Sequence, residues 1–152
     1  MPWFYKKLSQ ESVDKNRIVK FNYVCFIVVI LGALILGSIA PFLMKIFLGK
    51  AFYSSYIYVI WIALGASFQI MYSIMSYYIL YSNKTYLLAI VTIITTIVNV
   101  IMNYTFISKF GSIGAAQACT ITYFLQFIFV CIVASKVYPM PWKKTLLSIL
   151  HC

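Results

Sequence analysis

Four long apolar runs divide this chain, and short polar or basic stretches separate them. No charge falls from Phe21 to Met44, from Ala51 to Asn83, from Thr85 to Ser108, or from Phe110 to Ser135. A helix rises about 1.5 Å per residue, so about 20 apolar residues cross a hydrocarbon core of about 30 Å. The pattern predicts an all-α integral membrane protein with four transmembrane helices, at about 21–47, 52–82, 86–107 and 112–136. Residues 1–20 form a basic cytoplasmic or interfacial segment, and 139–152 a short amphipathic cytoplasmic tail. The sharpest feature is Asn99 to Ala118, where one apolar run ends, turns and re-enters apolar sequence at once. It reads as a membrane hairpin.

The breaks between runs have local causes. Trp3, Phe4, Tyr5 and Leu8 give the N-terminal segment one apolar face, suited to an interfacial helix. The run after it is too long for the apolar core of a signal peptide, about 7–15 residues, so it is read as a span. Pro41 lacks an N–H and is expected to bend or end that span. Ser82 to Thr85 and Ser108 to Gly111 are read as turns, with Gly111 supplying a positive φ. Pro139-Met140-Pro141-Trp142 stops the last span at an interface.

Composition agrees with this reading. The 152 residues are 64% hydrophobic and only 9% charged, against about 25% charged in a soluble domain. The formal charge is +10, but the cations stand at the ends of the apolar runs. That placement sets topology and attracts anionic membrane lipid rather than nucleic acid. Four spans put Lys6, Lys7, Lys15, Arg17, Lys20, Lys84, Lys136, Lys143 and Lys144 on one side, and Lys45, Lys50 and Lys109 on the other. The richer side faces the cytoplasm by the positive-inside rule, so both termini are expected there.

Within the spans, polar residues are few. Thr92, Thr95 or Thr96, Asn99 and Asn103 recur every three or four residues, on one face of the third helix. Amides are costly in lipid, so this face should look inward, as interhelical hydrogen-bonding glue or as the lining of a cavity that touches sugar hydroxyls. The glue reading is preferred. Gln69, Gln117 and Gln126 are read the same way. Tyrosines cluster near the ends of the second span as an interface belt, with Tyr72 deeper and available for stacking. Asn99, Asn103, Gln69, Tyr72 and Gln126 are therefore the cavity candidates. Ala33 with Gly37, Gly111 with Ala115 and Gly114 with Ala118 are small residues four apart, and are read as helix-packing positions.

Several chemistries lack their residues. Both acids, Glu11 and Asp14, lie outside the spans, so these spans hold no carboxylate for proton or sodium coupling. One histidine, His151, and four scattered cysteines, Cys25, Cys119, Cys131 and Cys152, form no metal-ligand spacing. No nucleophile–base set or phosphate loop stands out. No enzyme, metal or cofactor is expected.

Residues 49 to 136 resemble a family. A Gly-and-Tyr loop, Gly49 to Tyr53, precedes a span, and Asn83-Lys84-Thr85 opens the next. Asn99 and Asn103 then lead into Ile107, Gly111, Gly114, Ala115, Ala116, Ala118 and Thr120. This order is similar to the C-terminal region of polysaccharide biosynthesis flippases of the O-antigen type, in the multidrug/oligosaccharidyl-lipid/polysaccharide exporter superfamily. The resemblance extends to the basic start of the chain. It implies a transporter of about twelve helices in two bundles that alternate in access, of which these would be the last four. It also implies a bacterial cytoplasmic (inner) membrane location and a lipid-linked oligosaccharide as substrate. The missing N-terminal helices of the same transporter would then be partners. A fragment of a related drug or metabolite exporter, or a free-standing four-helix partner protein, are the competing expectations.

Overall fold

The computed structural model describes residues 15–47 and 56–137. They form four helices: α1 (Lys15–Phe47), α2 (Tyr56–Tyr81), α3 (Thr85–Phe110) and α4 (Ser112–Val137). All four are long and apolar enough to cross a membrane. Such a chain is a multi-pass membrane protein. The expected interfacial face at Trp3 to Leu8, residues 52–55 of the second span and the tail at 139–152 lie outside the described residues.

Cross-helix contacts set the direction of each helix. Asn22 meets Tyr78, Val29 meets Ser67 and Gly37 meets Ile60, so α1 and α2 run antiparallel. Tyr58 meets Ser112 and Phe68 stacks near Phe124, so α2 and α4 run parallel. Asn99 meets Thr122 and Phe106 meets Gly114, so α3 and α4 run antiparallel. Lys20, Lys84 and Lys136 therefore share one end of the bundle, and Lys45 and Lys109 the other.

The helices do not pack in chain order. α2 and α4 make the most extensive contact, α1 flanks α2, and α3 flanks α4, while α2 and α3 barely touch. The core sits towards the end that holds the α2–α3 turn. There Val19, Phe26, Met71, Met75, Tyr78, Ile79 and Val130 are buried together. The rings of Phe26 and Phe127 meet edge to face at 5.5 Å, tying α1 to α4. Elsewhere α1 and α3 turn rows of Ile, Leu, Val and Phe outwards. In water such surfaces would be an aggregation hazard. In hydrocarbon they need no cover.

Some boundaries differ from the sequence expectation. α1 starts at Lys15, inside the segment expected to end at residue 20, because nothing between Lys15 and Lys20 breaks a helix. Pro41 does not end α1, which continues to Phe47. Proline removes one helical hydrogen bond, and the helix carries on beyond it through residues 42–47. The second turn is one residue long: Ser108 to Phe110 belong to α3, and only Gly111 separates it from α4. The first turn comprises Ser82 to Lys84, with Asn83 at a positive φ of 55°, while Thr85 already belongs to α3.

The small residues divide into two kinds. Ala33 and Ala118 are buried. A Cβ on Gly37 would stand 3.0 Å from Ile60, and one on Gly114 would collide with the backbone of Phe106. These are close-approach positions. Gly111 is not a packing residue, contrary to expectation: it is exposed, with nothing near its absent Cβ. Its φ of 64° and ψ of −145° are what glycine supplies there. Ala115 is half-buried and lines an open cleft.

Candidate functional site

Asn99 and Asn103 are consumed by each other and by α4. Asn99 donates from Nδ2 to Thr122 Oγ1 at 3.1 Å. Asn103 donates from its own Nδ2 to Asn99 Oδ1 at 2.9 Å and to the Asn99 carbonyl at 3.0 Å. The hydroxyl of Thr122 in turn donates to the Ala118 carbonyl at 2.8 Å. The chain of bonds crosses the α3–α4 interface and occupies each amide N–H₂. It is an interhelical clamp. Of the threonines on this α3 face, Thr95 is buried and donates to the carbonyl of Val91, while Thr92 and Thr96 are exposed.

The glutamines behave differently. Gln126 is buried on α4, with 8% of its surface exposed, and its side chain has no hydrogen-bond partner among the described residues. Gln69 is exposed on α2, not packed inward as the sequence reading expected, and it also has no side-chain partner among the described residues. Tyr72 is half-buried, and its hydroxyl reaches Thr92 Oγ1 at 3.5 Å, joining α2 to α3 at one point. The five cavity candidates thus do not form one site. Two make a clamp, Gln69 and Tyr72 stand on α2, and Gln126 is buried on α4.

Two clefts are lined by described residues. One, of about 410 Å³, lies between α2 and α4 and is lined by Ile62, Gly65, Ala115, Cys119 and Tyr123 among others. The other, of about 390 Å³, lies between α1, α2 and α4, with Tyr23, Met71, Met75, Phe127 and Cys131 in its walls. Neither holds a charged side chain. Among the described residues, no three His, Cys, Asp or Glu come together to hold a metal ion.

Asn22 escaped the sequence reading. It is 1% exposed and donates from Nδ2 to the hydroxyl of Tyr78, itself 1% exposed. Tyr78 is therefore a core residue and not part of an interface belt. The available signal was an Asn one residue inside the first apolar run, facing a tyrosine near the end of the second. Only the antiparallel pairing of α1 and α2 brings them together.

Compared with known protein families, curated proteins and solved structures, the chain finds no match.

Proposed function

We propose that this chain forms the last four helices of a flippase that moves undecaprenyl-pyrophosphate-linked oligosaccharide, an O-antigen or capsule repeat unit, across the bacterial cytoplasmic membrane. In this reading both termini are cytoplasmic, and the chain works with preceding helices of the same transporter. It is a transport component and not an enzyme.

The observation that carries the reading is the hairpin from Asn99 to Thr122. Residues Asn99 to Thr120 within it carry the most specific part of the family resemblance, beside Gly49 to Tyr53 and Asn83 to Thr85. They include a two-amide clamp, a one-residue glycine turn and a second glycine held against backbone. Four apolar helices without an internal acid support it further, because a neutral interior suits carriage of sugar hydroxyls better than binding of a cationic drug.

Deletion of the full reading frame in its host, scored for surface glycan and for resistance to cationic dyes, tests this. Loss of surface glycan with intact dye resistance is the expected result. Lost dye resistance with intact glycan would replace the flippase with an exporter. No change in either would favour a non-transporting membrane partner.

A further inference from the structure

α2 exposes one amide near its middle. Gln69 lies halfway along this 26-residue helix, is exposed, and has no side-chain partner among the described residues. Hydroxyls of the spans behave otherwise. Ser73 donates to the Gln69 carbonyl at 2.9 Å. On α3, the exposed Thr92 and Thr96 donate to the carbonyls of Leu88 and Thr92 at 2.9 and 2.8 Å. Each of these protons is satisfied within its own helix. The amide of Gln69, which can both donate and accept, is not.

Gln69 belongs to a stripe. Ile62, Ala66, Gln69 and Ser73 follow each other at steps of four, three and four, which keeps them on one face of α2. That is the spacing of the seam in a left-handed pair of helices. The stripe stands off the two main contacts of α2. Gly65 faces α4, where a Cβ would stand 3.2 Å from Tyr123, and Ser67 and Tyr78 face α1. Ile62 is 62% exposed, at the edge towards α4 in the wall of the larger cleft. Ala66, one turn from Gln69, is exposed too, and its small side chain lets another helix come within reach of the amide.

We propose that this stripe is a self-association surface, on which α2 of a second copy of this chain packs in parallel and the two Gln69 amides bond to each other. An apolar stripe would be satisfied by lipid, so it is the amide that calls for a partner. Polar side chains within spans pair with one another because hydrocarbon offers them no bond. An amide is donor and acceptor at once, so two of them bond reciprocally. All copies insert with the same orientation, so a two-fold pair has its axis along the membrane normal and brings identical residues together at one depth. A second copy therefore supplies an amide at the level of Gln69 without further requirement, whereas an unrelated helix has to carry a polar group at that same depth. A single polar residue in such a seam also fixes its register. The pairing does not depend on what the protein carries.

The test is oxidative cross-linking in native membranes, using the full chain with Cys25, Cys119, Cys131 and Cys152 replaced by serine. Ala66→Cys keeps Gln69 and places a thiol on the stripe. Ile97→Cys, an outward position of α3 that is 57% exposed, is the comparison. A disulfide needs Cβ atoms about 4 Å apart, so Ala66→Cys should give linked dimer at least about ten-fold faster than Ile97→Cys. Adding Gln69→Leu should slow the linking about three-fold or more, the lower end of what an interhelical hydrogen bond contributes. Gln69→Asn, which keeps an amide, should fall between the two. Equal rates for Ala66→Cys and Ile97→Cys overturn the surface, as does a linked product whose mass is that of this chain with a different protein. Equal rates with and without Gln69→Leu overturn the role of the amide.

A second measurement separates association from folding. In detergent, at a concentration where the chain is monomeric, Gln69→Leu should leave the unfolding midpoint unchanged or raise it, because no described neighbour loses a bond. A fall as large as that of Asn99→Leu would place Gln69 in the packing of its own bundle and sink the proposal. In phospholipid vesicles, energy transfer between copies labelled at their C-termini should persist to higher lipid dilution for the parent chain than for Gln69→Leu. Transfer lost at the same dilution for both would overturn the pairing.

Discussion

A Cβ placed on Gly114 would collide with the carbonyl of Phe106 and stand 2.9 Å from the amide nitrogen of Ile107. The obstacle is the backbone of α3, which cannot rotate away as a side chain can. Gly114→Ala should therefore cost about 2–3 kcal/mol by overpacking, and Gly114→Leu should leave little folded protein. Asn103→Leu should be tolerated better than Gly114→Leu in expression and, if the proposed flippase activity holds, in glycan export. Detergent unfolding of the purified variants, with yield from membranes, checks the order. Equal losses would mean that α3 and α4 can separate at this end without harm.

The two clamp amides should differ. Asn99 bonds across to α4 and accepts from Asn103, whereas among the described residues Asn103 bonds only to Asn99. Interhelical hydrogen bonds in membranes are worth about 0.6–2 kcal/mol. Asn99→Leu should lie near the upper end of that range and Asn103→Leu near the lower. Unfolding midpoints in dodecyl sulfate would separate them, and a larger cost at Asn103 would contradict the clamp.

The Asn22–Tyr78 bond predicts coupling. Asn22→Leu and Tyr78→Phe each leave a buried polar group without its bond to the other. The double variant should cost less than the sum of the singles by about 1 kcal/mol. Strict additivity in a double-mutant cycle would show that the pair does not fasten α1 to α2.

Two glycines with empty surroundings should respond in opposite directions. Gly32 lies inside α1 with nothing near its absent Cβ, so Gly32→Ala should stabilise by about 1 kcal/mol through helix propensity. Gly111 has equal room but a φ of 64°. There Gly111→Ala should destabilise by about 1–3 kcal/mol through backbone strain. Thermal unfolding of both variants in one detergent tests the pair. The same sign for both would mean that local space, and not backbone conformation, governs these positions.

How much was legible depended on range. Span number and approximate position follow from charge spacing, because a single charge in hydrocarbon is costly enough to mark a boundary within a few residues. Pro41 does not end its span because one missing N–H costs a single helical bond, and the residues after it still bond within the helix. Gly111 misled for a different reason. A glycine at small-residue spacing can serve packing or a turn, and only its φ distinguishes them. Gln69 and Asn99 are both amides within apolar runs, yet Gln69 has no side-chain partner among the described residues and Asn99 is clamped.

The sequence by itself determined that four helices long and apolar enough to span a membrane follow one another, with cations between them. Each helix satisfies its own backbone and is chosen by local composition alone. The tertiary structure decided which helices meet. It set α2 against α4, left α2 and α3 barely touching, and so turned Asn99 and Asn103 into a clamp while Gln69 stayed exposed. Between helices in lipid no hydrophobic drive selects neighbours. Partners are chosen by close fit, as at Gly37, Gly65 and Gly114. Such fit depends on two surfaces at once, and no single run of sequence contains both.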